Sequence, residues 1–93
     1  MIIGLITFEI YLPYAHSLKE KRQVINKLKD KIKPKFNVSF AELDFVDKWQ
    51  ITKIGLVAIN NQKATIEKMF HKILKEIENN LDGQLINFRI EYI

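Results

Sequence analysis

The 93-residue chain contains no cysteine. That absence removes a disulfide framework, a thiolate metal centre and a cysteine nucleophile together. Glycine occurs three times, at Gly4, Gly55 and Gly83, too thinly spread for a loop that cradles phosphate. The two histidines, His16 and His71, lie far apart, so no His-x-x-x-His spacing offers a zinc or iron site. No apolar run approaches the roughly 18 residues of a membrane span. The opening Met1-Ile2-Ile3-Gly4 also lacks the basic region that begins a signal peptide. The expectation is a cytoplasmic protein with no membrane role and no cofactor.

What is present is an ordinary globular composition, 47% hydrophobic and 28% charged. The length suits a single domain over residues 1–93. Lys and Arg total 15 against 11 Asp and Glu, a net charge of +4. The excess is concentrated. Between Ser17 and Phe36 stand eight bases and two acids, +6, while the remainder carries −2. A segment of this kind can attract phosphate or another acidic surface. Thirteen of the bases are lysines, which present a point charge rather than the bidentate fork of arginine.

Hydrophobic periodicity orders the chain. Ile2 to Leu12 alternates as a strand, with Ile2, Gly4, Ile6, Phe8, Ile10 and Leu12 on one face, and Pro13 ends it. Ser17 and Glu20 then form a capping box for a helix in which Leu18, Val24, Ile25, Leu28 and Ile32 share a stripe, and Pro34 closes it. Strands are expected from about Val38 to Phe45 and from about Trp49 to Ile59, separated by a turn near Asp47-Lys48. Asn60-Asn61 offers a cap to a second helix lined by Ile66, Met69, Phe70, Ile73, Ile77 and Leu81. After Asp82-Gly83 a last strand runs from Leu85 to Ile93, with Ile86, Phe88, Ile90 and Tyr92 on one face.

The order β-α-β-β-α-β defines an α+β, ferredoxin-like domain. Right-handed crossovers place the strands as a four-stranded antiparallel sheet of order 4-1-3-2 with both helices on one face. The opposite face is then left open. Strand parity assigns it Ile3, Leu5, Thr7, Glu9, Tyr11, Ile51, Lys53, Val57, Ile59, Asn87, Arg89, Glu91 and Ile93, and gives the helices Ile6, Phe8, Ile54, Leu56, Ile86, Phe88 and Ile90. Ile3, Leu5, Val57, Ile59 and Ile93 gather at one end of the open face as interface candidates. A homodimer through that face is expected.

The segments His16-Ser17-Leu18-Lys19-Glu20-Lys21-Arg22, Phe36-Asn37-Val38-Ser39-Phe40-Ala41-Glu42 and Asp47-Lys48-Trp49-Gln50, in that order, resemble the YlxP-like family of short bacterial proteins. The resemblance covers essentially the whole chain and implies a ferredoxin-like fold. The family is classed as one of unknown function. In some bacteria its gene lies among translation and ribosome-maturation genes, which implies a ribosomal context but carries over no catalytic or cofactor residue.

Among the residues themselves, Glu42 and Asp44 on one strand face with Asp47 in the turn could hold magnesium, but acids there also guard an edge strand against pairing. The stronger candidate is the start of the first helix. His16, Ser17, Lys19, Lys21 and Arg22 surround its free N–H groups, and Arg22, Lys29 and Lys33 form a ridge beside the apolar stripe. Lys21 falls inside the stripe, where a snorkelling side chain is the plain alternative. Lys53 to Ile59, which occupies the place of an RNA-recognition domain's aromatic motif, has no aromatic residue, so base stacking on the sheet is not expected. Trp49 is expected to pack. The expected function is a non-enzymatic accessory protein contacting ribosomal or other structured RNA through its basic first helix. The alternative is a homodimeric protein-interaction scaffold whose helix is merely solvated.

Overall fold

The alternation of branched residues and the two apolar helical stripes produce the elements they announce. The computed structural model describes residues 1–93 and contains β1 (Ile2–Tyr11), α1 (Leu18–Ile32), β2 (Ser39–Asp44), β3 (Ile51–Asn60), α2 (Lys63–Asn80) and β4 (Gln84–Tyr92). The antiparallel sheet has the order β2-β3-β1-β4, which is 4-1-3-2 read from the other edge. The ferredoxin-like architecture is therefore present in full.

The core lies between helices and sheet. Ile6, Phe8 and Ile10 of β1 and Ile54 and Leu56 of β3 are buried against Ile25, Leu28 and Ile32 of α1 and Ile66, Phe70, Ile73 and Ile77 of α2. Two glycines mark close approaches. A Cβ on Gly4 would stand 2.6 Å from Ile66 Cγ2 and 3.0 Å from Phe70 Cε2, so the absent side chain lets α2 settle onto β1. At Gly55 the atom met at 2.6 Å is Leu43 Cδ1, which lies across the opposite, open face.

Two β-bulges change the parity expected for the edge strands. In β4 the register with β1 shifts between Thr7 and Glu9, where Asn87 adopts a φ of 54°. Beyond the bulge Leu85, not Ile86, pairs with Ile10 and packs on the core. Ile86 pairs with Glu9, placing it on the open side, and Phe88 remains 54% exposed rather than covered by a helix. In β2 a second shift separates Glu42, opposite Ile54, from Asp44, opposite Lys53. Those two carboxylates therefore occupy opposite sides of the sheet and do not form the shared face that a magnesium site requires.

Smaller differences sit at the element ends. Asn60 does not cap α2 directly; its Oδ1 accepts at 2.9 Å from the backbone N–H of Gln62, the N-cap residue just before the helix. At the far end of β4 the Tyr92 hydroxyl is buried without a hydrogen-bond partner. Burial, reinforced by the Glu67 carboxylate, raises its pKa above the ordinary 10.0.

The glycine contacts separate two otherwise identical substitutions. Gly4→Ala drives a methyl group into Ile66 and Phe70 and should cost about 1–3 kcal/mol, the usual penalty of overpacking. Gly55→Ala meets only the half-exposed Leu43, which can swing aside, and should change stability by less than about 1 kcal/mol. Urea unfolding of both variants measures the difference.

Candidate functional site

The first turn of α1 is built by short-range hydrogen bonds. Ser17 Oγ accepts from the N–H of Glu20 at 3.1 Å, as an N-cap should. Glu20 reaches back one residue further than a standard capping box, its Oε2 accepting from the His16 N–H at 2.7 Å. A carboxylate thus already stands at the positive end of this helix, where an external anion would have to sit. The exposed ring of His16 remains at the rim.

Lys21 goes inward. Its side chain is fully buried, and its ammonium donates to Phe45 O at 2.7 Å and Val46 O at 3.2 Å, with Ile51 O at 3.5 Å. Glu42 Oε2 lies 2.9 Å away as the counter-charge and also accepts from Thr52 Oγ1 at 2.6 Å. Lys21 is therefore not an anion-binding residue. With three protons and an internal carboxylate and carbonyls to receive them, it has nothing left to offer a ligand. Snorkelling, the plain alternative, understates the outcome, because the charge itself enters the interior.

The rest of the basic segment behaves differently. Lys19, Arg22 and Lys29 are exposed and make no ion pair or side-chain hydrogen bond within the chain. Lys33 is exposed too and gives one bond, 3.1 Å, to Val38 O just ahead of β2. That bond places the ridge on the flank of α1 that looks toward the β2 edge. Lys35, further along, is taken up by Glu76 of α2. Lys19, Arg22, Lys29 and Lys33 thus form a line of cations along about 21 Å of helix, given 1.5 Å per residue.

An exposed aromatic corner stands at the end of the sheet beside Lys21, where β3 begins. Trp49 is 52% exposed rather than packed, and with Tyr11, Lys48, Gln50 and Ile51 it lines an open hollow of about 440 Å³. Gln50 holds that corner in place, its Nε2 donating to Pro13 O at 3.1 Å and Ala15 O at 3.4 Å. The interface candidates do come together. Ile3 pairs with Ile59, Leu5 with Val57, and Ile93 joins Ile3 through reciprocal backbone hydrogen bonds of 2.8 and 3.3 Å. Ile59 is 61% and Ile93 80% exposed, so nothing in the chain covers this end of the face. No three His, Asp or Glu side chains converge as a metal-binding group, and no helix is long and apolar enough to cross a membrane.

A split βαβ domain with an open sheet and a cationic helix flank is the class these features define. Residues 3–90 match the family described as "Protein of unknown function (DUF503)", and the chain belongs to that family. It is 35% identical over 78 residues to "Uncharacterized protein YlxP" of Bacillus subtilis (strain 168), covering 84% of this chain and 85% of the relative. Among solved structures it is similar to "De novo designed protein Foldit4", with a TM-score of 0.55, 16% identity and coverage of 97% of this chain and 94% of the other. That likeness speaks for the fold alone. Overlay on LarC2, the C-terminal domain of a cyclometallase, gives a TM-score of 0.43 at 12% identity over 56% of that chain, too loose to support an argument.

The contrast between neighbouring lysines is measurable. Lys21→Met leaves Glu42 without its counter-ion and three carbonyls without their donor, and should cost about 3 kcal/mol. Adding Glu42→Leu should recover part of that loss. Lys19→Met, at a free surface position, should stay within about 0.5 kcal/mol of wild type. Equilibrium unfolding in urea, followed by circular dichroism, reads all three.

Proposed function

We propose that this protein is a non-enzymatic accessory protein that binds structured RNA, of the ribosome or another source, through the exposed flank of α1. The observation that carries the reading is the line Lys19, Arg22, Lys29 and Lys33, in which the first three cations have no partner inside the chain. Surface cations that are not used internally are free to replace the counterions of a phosphate backbone. A straight helical line of point charges suits contact with phosphate, which fixes position, rather than with base edges, which specify sequence. The centre of the open sheet offers no stacking surface. Lys53, Gly55, Val57 and Ile59 project no aromatic ring from its centre, so stacking of the RNA-recognition type has no platform there. The ribosomal context implied by the family resemblance agrees with this reading. In this reading the protein is soluble and cytoplasmic.

Four phosphate contacts make the affinity steeply dependent on salt, falling about a hundredfold between 50 and 200 mM. Replacing Arg22, Lys29 and Lys33 together by Gln should leave the helix intact, because Gln is nearly as good a helix former. The same variant should weaken binding to a structured RNA and lower the salt slope by about two to three. Fluorescence anisotropy of a labelled RNA hairpin at two salt concentrations measures both quantities. Undetectable binding at 50 mM salt would leave the scaffold reading in possession; unchanged affinity in the folded triple variant would remove α1 from the interface.

A further inference from the structure

The open face of the sheet carries a pattern that is complementary to itself. Its rows, read across the central strands β3 and β1, are Ile59–Ile3, Val57–Leu5, Gly55–Thr7, Lys53–Glu9 and Ile51–Tyr11. The apolar rows are uncovered, and Leu43 adds a further half-exposed side chain over Gly55. In the charged row, Lys53 and Glu9 are cross-strand neighbours of opposite sign, yet they form no ion pair with each other. Glu9 accepts only from the Asn87 amide at 3.1 Å, and Lys53 has no side-chain partner. Both are partly buried.

We propose that the occupant of this face is a second copy of the chain, docked sheet to sheet about a two-fold axis that runs parallel to the strands above the β1–β3 seam. Such an axis keeps each row at its own level and exchanges its two members. Ile3 then faces the partner's Ile59, Leu5 the partner's Val57, and Glu9 the partner's Lys53, with each contact made twice. No other partner is needed to match the rows, because every row contains its own complement. Aligned packing of two twisted sheets at about −30° keeps the central rows in register and lets the outer ones diverge. Four strands and the eight-residue step from Ile3 to Tyr11 project to about 500 Å². With side-chain relief added, that approaches the roughly 800 Å² per partner of a standard interface. The face is separate from the α1 flank, which lies behind the sheet, so the dimer stands or falls independently of RNA binding.

Charge reversal tests the axis, not merely the existence of a dimer. Sedimentation equilibrium of the wild type at tens of micromolar should give twice the 11.0 kDa chain mass. Glu9→Lys alone sets lysine against lysine across the axis, and Lys53→Glu alone sets glutamate against glutamate. Each should raise the dimer dissociation constant at least tenfold while the circular dichroism spectrum stays native. An equimolar mixture of the two variants should recover dimerisation as a heterodimer, since every cross-axis pair is then of opposite sign. The double variant Glu9→Lys/Lys53→Glu should pair with itself and refuse the wild type. Leu5→Glu should be monomeric. A wild type that is monomeric at 100 µM overturns the proposal, as does a dimer indifferent to the single reversals or a mixture that does not recover.

Discussion

One buried charge organises the end of the molecule where its loops meet. Taking the Lys21 ammonium out of water costs several kcal/mol, and the charge persists there because Glu42 and the carbonyls of Phe45, Val46 and Ile51 surround it. Those contacts join the first turn of α1 to the end of β2, the following turn and the start of β3. Phe45 has a φ of 62°, a conformation rare for a bulky residue, and its carbonyl receives the shortest of the Lys21 bonds to the backbone. The turn is held in a strained geometry by a charge that has no other place to go. Gln50 repeats the device with neutral chemistry, tying the start of β3 to the carbonyls of Pro13 and Ala15.

The inward course of Lys21 also fixes what its neighbours do. On a helix, a residue that points to the core turns those one and two positions away toward the flanks, so Arg22 and Lys19 reach solvent because Lys21 does not. The residues that resemble the family motif therefore divide by role. Ser17, Glu20, Lys21, Glu42 and Gln50 are occupied by internal hydrogen bonds, whereas His16, Lys19, Arg22 and Trp49 present their side chains outward. A cluster that reads in sequence as one basic patch is in fact a structural pin surrounded by free cations.

The sheet separates two surfaces of different chemistry. Behind it, the flank of α1 is cationic and unpaired; in front, the open face is apolar at one end and carries both signs further along. Neither surface uses the residues of the other. A phosphate-binding flank and a self-complementary face can consequently coexist, and pairing through the front would present two cationic flanks on opposite sides of one particle.

Much of this was legible in the residues themselves. The alternation of Ile2 to Leu12, the stripes of the two helices, the Ser17 cap and the punctuation by Pro13, Pro34 and Gly83 give the element order. From that order, the handedness of crossovers gives the sheet. That Ile3 and Leu5 share a face with Val57 and Ile59 followed from parity, because both strands are regular there, and the register itself pairs Ile3 with Ile59 and Leu5 with Val57. The edge strands were legible as strands, but which of their residues face the helices was not. A bulge inserts one residue without altering the local hydrophobic pattern, and it moved Ile86 to the other side of the sheet and parted Glu42 from Asp44. Nor could the pattern decide between a snorkelling and a buried Lys21, since its carbonyl acceptors lie 24 to 30 residues away along the chain. Caps and periodicities are interactions within a few residues, and the sequence alone determines them. The fate of a lysine in an apolar stripe, and of a tryptophan at a strand end, is set by partners that only the folded chain brings within reach.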